Sequence, residues 1–148
     1  MILKSNNFCV GCFHVCEHFN ILFDEKGKVK ICDFGVSKHL GDLSEVMTEQ
    51  CGTPAYIAPE ILKDKGYNGF GVDIWSLGVC LYAMIFGTVP FKANNMSELH
   101  SLIKKAKFTI KDDKVDISED AKSLIRVLLE ADPTKRPTIN DVLNHPWL

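Results

Sequence analysis

The chain has 148 residues, of which 46% are hydrophobic and 24% charged, the make-up of one soluble globular domain with a substantial core. Its formal net charge of −2 excludes a broad electrostatic attraction to nucleic acid or to an anionic membrane.

Residues 1–19 are rich in Cys, His and Phe and show neither a helical nor a strand period. Lys4, Ser5, Asn6 and Asn7 break the apolar run that a secretory signal would need. Six cysteines in so long and apolar a chain read as reduced thiols of an intracellular, cytoplasmic protein rather than as a disulfide scaffold. Cys9, Cys12 and Cys16 with His14 and His18 are soft ligands at close spacing, yet a tetrahedral zinc site usually draws on two separated pairs. An irregular segment with free thiols is the favoured reading.

Ile21–Phe23 and residues 29–32 form two apolar or alternating runs around Asp24, Glu25, Lys26 and Gly27, which predicts a β hairpin. Residues 33–60 have no strong period and read as an ordered functional loop. From Phe70 to Phe86 apolar residues point in almost every direction, and a helix of that kind belongs in a protein core or a membrane. Asp73, Ser76 and the glycines favour the core, and no uninterrupted apolar run reaches the ~18–20 residues that cross a bilayer.

Weaker amphipathic helices are expected over 96–106 and 118–129, the Lys104–Lys105 pair lying on a solvated face. Ser118, Glu119 and Asp120 suit the second helix's start, where free N–H groups attract oxygens. Asp132-Pro133 interrupts the run, and Thr138 caps a last helix ending at Leu143. The fold class expected is mainly α with a small β hairpin.

Five motifs stand in order: Asp33-Phe34-Gly35, Gly52 through Glu60 (GTPAYIAPE), Asp73-Ile74-Trp75-Ser76-Leu77-Gly78, Arg136-Pro137 and His145-Pro146-Trp147. Together they resemble the C-terminal part of a eukaryotic-type protein serine/threonine kinase, with residues 51–62 and the ending most similar to the calcium/calmodulin-dependent kinase group. The resemblance implies a kinase C-lobe with the N-lobe absent, residues 1–19 being a non-matching segment and 20–148 a partial kinase domain. It also implies phosphoryl transfer from ATP, with Mg²⁺, to Ser or Thr of a protein substrate.

Asn20 and Asp33 are the implied nucleotide and metal ligands, hard oxygen donors of the kind Mg²⁺ takes. Taken alone, Asp33 reads equally well as a turn residue; the flanking motifs favour the ligand. Gly52, Thr53 and Pro54 resemble the substrate platform of serine/threonine rather than tyrosine kinases. Glu60 and Arg136 resemble a structural ion pair. Asp73 either satisfies N–H groups at a helix start or, as the family implies, anchors the backbone of the catalytic loop. Ser44 and Thr48 are candidate phosphosites in the activation segment. The position three before Gly52, often a phosphorylated Thr in the family, holds Glu49.

The resemblance collapses just before Asn20. Phe13, His14 and Val15 occupy the H-R-D positions, and Glu17 stands where the catalytic lysine belongs. Val15 accepts no proton, and general-base assistance is worth ~10²–10⁴-fold. Glu17 reverses a charge that should stabilise the transferred phosphate. No G-x-G-x-x-G loop occurs in the sequence. A missing helix beside the core helix would leave an apolar face for a covering protein. The expectation is a kinase fragment, inactive as written, from a truncated protein, an alternative first exon or a faulty gene assembly. The alternative is a non-catalytic kinase-derived interaction module. Neither reading calls for nucleic acid or a membrane as partner.

Overall fold

The computed structural model describes residues 9–12, 20–32, 34–35, 37–40, 45–63, 65–111 and 115–148. Among the described residues six short strands come first: β1 (Cys9–Cys12), β2 (Ile21–Phe23), β3 (Val29–Ile31), β4 (Ser37–Leu40), β5 (Val46–Met47) and β6 (Tyr67–Asn68). Four helices follow: α1 (Gly69–Phe86), α2 (Met96–Lys104), α3 (Glu119–Leu128) and α4 (Ile139–Leu143).

The predicted hairpin is present, with Ile21 opposite Ile31 and Phe23 opposite Val29. Asp24 makes its turn by accepting at Oδ1 from the backbone N–H groups of Lys26 and Lys28, both at 2.9 Å. Gly27 then takes φ 72°, a left-handed value that costs glycine little. Two more antiparallel ribbons pair distant segments, Cys9–Cys12 with Ser37–Leu40 and Val46–Met47 with Tyr67–Asn68.

These ribbons correct the expected fold class. The chain is not a C-lobe alone with one small hairpin and an absent N-lobe. A strand-bearing N-terminal part precedes the helical part, and β1, β4 and β5 lie in segments expected to be irregular or loop. Two- to four-residue strands are too short to display a period of two, so neighbour pairing rather than local pattern creates them.

The helices form close to where their caps place them. Asn68 accepts from the Phe70 N–H at 3.0 Å to start α1, and Gly87, at φ 66°, ends it. Asn95 accepts from Glu98 N–H at 2.9 Å, and Ser118 from Ala121 N–H at 3.2 Å. Thr138 and Asp141 complete a reciprocal capping box on α4. Hydrogen bonds from the Thr138 hydroxyl and N–H hold the Asp141 carboxyl below the usual carboxylate range.

Helix α1 is the core. Its 18 residues are long and apolar enough to cross a membrane, but 61% of that span is buried inside the protein, so protein side chains rather than lipid surround most of it. Trp75, Val79 and Cys80 are fully buried. Trp75 stacks on Phe91 with ring centroids 5.4 Å apart, and Phe108 meets both Phe91 and Tyr82 edge-on. The Tyr82 hydroxyl donates to the Thr109 carbonyl at 2.7 Å. The uncovered apolar face expected on this helix reduces, among its described large apolar residues, to an exposed Met84; strand β1 lies alongside the helix.

Contact between α1 and α3 depends on Gly78. A β-carbon there would meet Leu128 Cβ at 2.8 Å and Leu129 Cδ2 at 3.0 Å. Gly78→Ala would gain about 1 kcal/mol of helix propensity but overpacks a core, which costs about 1–3 kcal/mol. Backbone-proximal Leu128 Cβ has little room to retreat, so net destabilisation is expected in urea denaturation. An unchanged midpoint would show that the two helices separate at little cost.

Candidate substrate platform and its anchor

The segment from Cys51 to Glu60 runs from the surface into the core. Gly52 sits at φ 139°, a backbone conformation side chains rarely adopt. Thr53 and Pro54 are exposed, whereas Tyr56, Ala58, Pro59 and Glu60 are buried. Pro54 begins a 3-10 turn over Pro54–Tyr56, closed by Tyr56 N–H donating to the Thr53 carbonyl at 2.9 Å. Ser76, buried on α1, donates its hydroxyl to the Tyr56 carbonyl at 3.3 Å. The result is an exposed Thr-Pro ledge on a base held against the core helix.

Glu60 fixes the inner end of the segment. Its Oε1 lies 2.6 Å from Arg136 Nη1 and its Oε2 3.0 Å from Nη2, the two-pronged fit that a planar guanidinium gives a carboxylate. Both side chains are almost completely buried. Arg136 also donates to the Gly71 carbonyl and, through Nε and Nη2, to the Glu130 carbonyl. Its guanidinium carbon stands 5.2 Å from the Trp75 ring centroid, within cation–π range. Every face of the charge therefore meets an acceptor or a π surface. This matters because an unpaired buried charge is strongly destabilising.

The outer end is held differently. Tyr67, on β6, donates its hydroxyl to the Glu49 carbonyl, and burial pushes the Tyr67 phenol well above its ordinary pKa. Lys38 Nζ lies 3.3 Å from Glu49 Oε1 and 3.8 Å from Glu45 Oε1. Hydrogen bonds from its own backbone N–H and from Lys38 hold the Glu49 carboxyl below its usual range. Burial, with Glu49 nearby, raises the Cys51 thiol, so that thiol stays protonated and unreactive at neutral pH. Thr48 is exposed beside this network, its N–H 3.4 Å from Glu49 Oε2.

The remaining sequence candidates fall elsewhere. Asn20 is half-buried just before β2, and its carbonyl accepts from the Cys32 N–H at 2.9 Å and from the Cys32 thiol at 3.5 Å. Asp33, Ser44, Val15 and Glu17 lie outside the described residues, as do His14, Cys16 and His18 of the zinc reading. Among the described residues no three His, Cys, Asp or Glu side chains converge on a metal-sized space. Asp73 is partly buried at the fifth position of α1, just past the first turn.

Sequence reasoning missed Ser76 and Trp75 as anchors of the segment, and Lys38 and Tyr67 as holders of its outer end. No local signal marks them, because each acts on a residue at least eleven positions away.

An exposed ledge is thus fixed to a core helix by a buried Glu–Arg pair, the arrangement that the resemblance to protein kinases implies. The protein kinase domain family matches residues 18–148, and the chain belongs to that family. It is 40% identical over 129 residues to the probable serine/threonine-protein kinase CCRP1 of Zea mays, covering 87% of this chain and 20% of that protein. It is 40% identical over 130 residues to CBL-interacting protein kinase 16 of Oryza sativa, covering 86% of this chain and 28% of that one. The cell cycle serine/threonine-protein kinase CDC5/MSD2 of Saccharomyces cerevisiae is 43% identical over 129 residues, with 86% and 18% covered. The chain thus spans less than a third of the length of each of these relatives.

Proposed function

We propose that the chain is part of a protein serine/threonine kinase, in which it supplies the peptide platform and part of the metal site. The observation that carries this reading is the Gly52–Glu60 segment pinned to α1 by Ser76 and by the buried Glu60–Arg136 pair. Similarity to named serine/threonine kinases over most of the chain supports it. So does Gly52-Thr53-Pro54, whose exposed Thr53 and Pro54 offer a hydroxyl and a rigid turn to an incoming substrate. The whole protein would use Mg-ATP to phosphorylate Ser or Thr hydroxyls of another protein.

Asn20 and Asp33 offer an amide oxygen and a carboxylate, the hard donors Mg²⁺ favours, so the donor chemistry fits. The ion would neutralise charge on the phosphate oxygens. The backbone carbonyl of Asn20, which accepts from the Cys32 N–H at the end of the β2–β3 ribbon, supports a fixed position for this residue. Membership of the calcium/calmodulin-dependent kinase group is the finer form of the proposal and rests on residues 51–62 and His145-Pro146-Trp147. The reducing, cytoplasmic location belongs to the same reading, supported by free thiols at Cys32, Cys51 and Cys80.

A second reading, a non-catalytic interaction module, is favoured by Val15 and Glu17 at the positions of the base and the lysine. The two readings part in one assay. The 148-residue chain with Mg-ATP and a generic Ser/Thr substrate is expected to incorporate no more phosphate than its Asp33→Ala variant. A longer product of the same gene that carries an H-R-D loop is expected to phosphorylate that substrate and to lose the activity on Asp33→Ala. An inactive longer product, or one unaffected by Asp33→Ala, would overturn the kinase reading.

A further inference from the structure

The two ends of the platform segment are held by different physics. At the inner end the Glu60–Arg136 pair is two-pronged and almost completely buried. The hold on the outer end is thinner. Strand β5 has two residues, of which Met47 is buried and Val46 is 64% exposed, and it pairs with the two residues of β6. An isolated pair of strands is marginal in water, so this ribbon relies on whatever else grips it. One grip is the Tyr67 hydroxyl, which donates to the Glu49 carbonyl.

The other grip is Lys38. Glu45 immediately precedes β5 and Glu49 lies two residues past it. The Lys38 ammonium group stands 3.8 Å from the first carboxylate and 3.3 Å from the second, so one cation spans the strand from end to end. Lys38 belongs to β4, which pairs with β1, and the contact therefore ties one ribbon to another. All three side chains are at least a third exposed. Salt weakens exposed charge pairs, whereas buried ones are screened much less.

We propose that residues 45–51 form a strap that opens independently of the buried anchor, with Lys38 as its electrostatic latch. Segments with few buried apolar contacts are the ones that open locally while the rest of a fold stays intact. Met47 is the one buried residue of the strap, and the fixed charges supply what packing does not. Opening frees the chain that enters the ledge at Gly52. Lys38 is thus a positioning residue for Thr53 and Pro54. What the strap means for an arriving peptide rests on the platform reading above; the latch itself does not.

The test is amide hydrogen exchange on the full chain, read by mass spectrometry over residues 45–51 and, as an internal reference, over 56–60. Between about 0.01 and about 1 M sodium chloride the screening length falls from about 30 to about 3 Å. Across that range exchange at 45–51 is expected to quicken about two- to fivefold, the span open to exposed ion pairs, while 56–60 stays unchanged. Lys38→Met is expected to show the faster rate already at low salt and to lose the salt response. Lys38→Arg is expected to keep both protection and response. Lys38→Glu/Glu49→Lys is expected to restore the protection that Lys38→Glu alone loses, which a role in packing would not predict. Salt that speeds both ends alike, or a Lys38→Met strap that exchanges as before, overturns the proposal. Should Lys38→Met unfold the chain by circular dichroism, the salt titration of the unaltered chain decides the matter. Exchange needs no phosphoryl transfer, so a failed latch leaves the kinase reading standing, and an inactive longer product leaves the latch standing.

Discussion

Arg136→Ala is expected to lower the free energy of unfolding by about 3–5 kcal/mol, the loss that follows when one partner of a buried ion pair is removed. The cause is the Glu60 carboxylate, which would keep its burial and lose both guanidinium contacts. The Gly71 and Glu130 carbonyls would lose a donor as well. Glu60→Ala should cost a similar amount by stranding the opposite charge. The double variant Glu60→Leu/Arg136→Met removes both charges and is expected to cost less than the two single losses added together. Urea denaturation of the four proteins gives the coupling directly. Strict additivity would mean that the pair is not what ties the segment to the closing helices. Loosening Glu60 should also free the Thr53-Pro54 ledge, visible as faster proteolysis within residues 51–60 than elsewhere.

Trp75→Ala is the second large effect, with about 3–5 kcal/mol expected for truncating a large core aromatic. Trp75 is fully buried, stacks on Phe91 and carries the Arg136 guanidinium on its ring. The cavity left behind would adjoin both the aromatic cluster and the ion pair. Its cost should therefore overlap with that of Arg136→Ala, and the two should combine to less than their sum. Trp75→Phe is the informative control. The indole Nε1 is buried with no acceptor among the described residues, so exchange for phenylalanine removes an unsatisfied donor while keeping a ring for Phe91 and Arg136. A distinctly smaller loss than for alanine is expected in the same denaturation experiment. Equal losses would place the value of Trp75 in its indole rather than in its ring stack.

What the sequence displayed depended on the range of the interaction. Asp24 and Gly27 announce their turn because the bonds that make it span four residues or fewer. Ser118 and Thr138 announce helix starts for the same reason. The apolar run of α1 announced a core helix because burial on all sides leaves no polar stripe. The β1–β4 and β5–β6 ribbons left no such trace. Val46 pairs with Asn68 and Met47 with Tyr67, partners 20 or more residues apart, and two residues cannot show alternation. That is why the fold was expected to hold one hairpin and a long loop.

The Glu60–Arg136 pair, separated by 76 positions, was legible only through family resemblance, since no local pattern brings such residues together. Ser76, which closes the other hold on the segment, passed as an ordinary helix residue. Asn20 was likewise singled out only through the family resemblance. The structure ties Asn20 to Cys32 across the mouth of a ribbon, with a bond that no periodicity would reveal.

The β5–β6 pairing has a consequence for how a peptide meets the ledge. Strands at 46–47 and 67–68 clamp the ends of the intervening stretch, and Glu60 clamps its middle. The entropy of closing that loop is spent during folding. An arriving chain then meets a surface that is already ordered and loses freedom only on its own side, which is how preorganisation raises affinity without adding a contact.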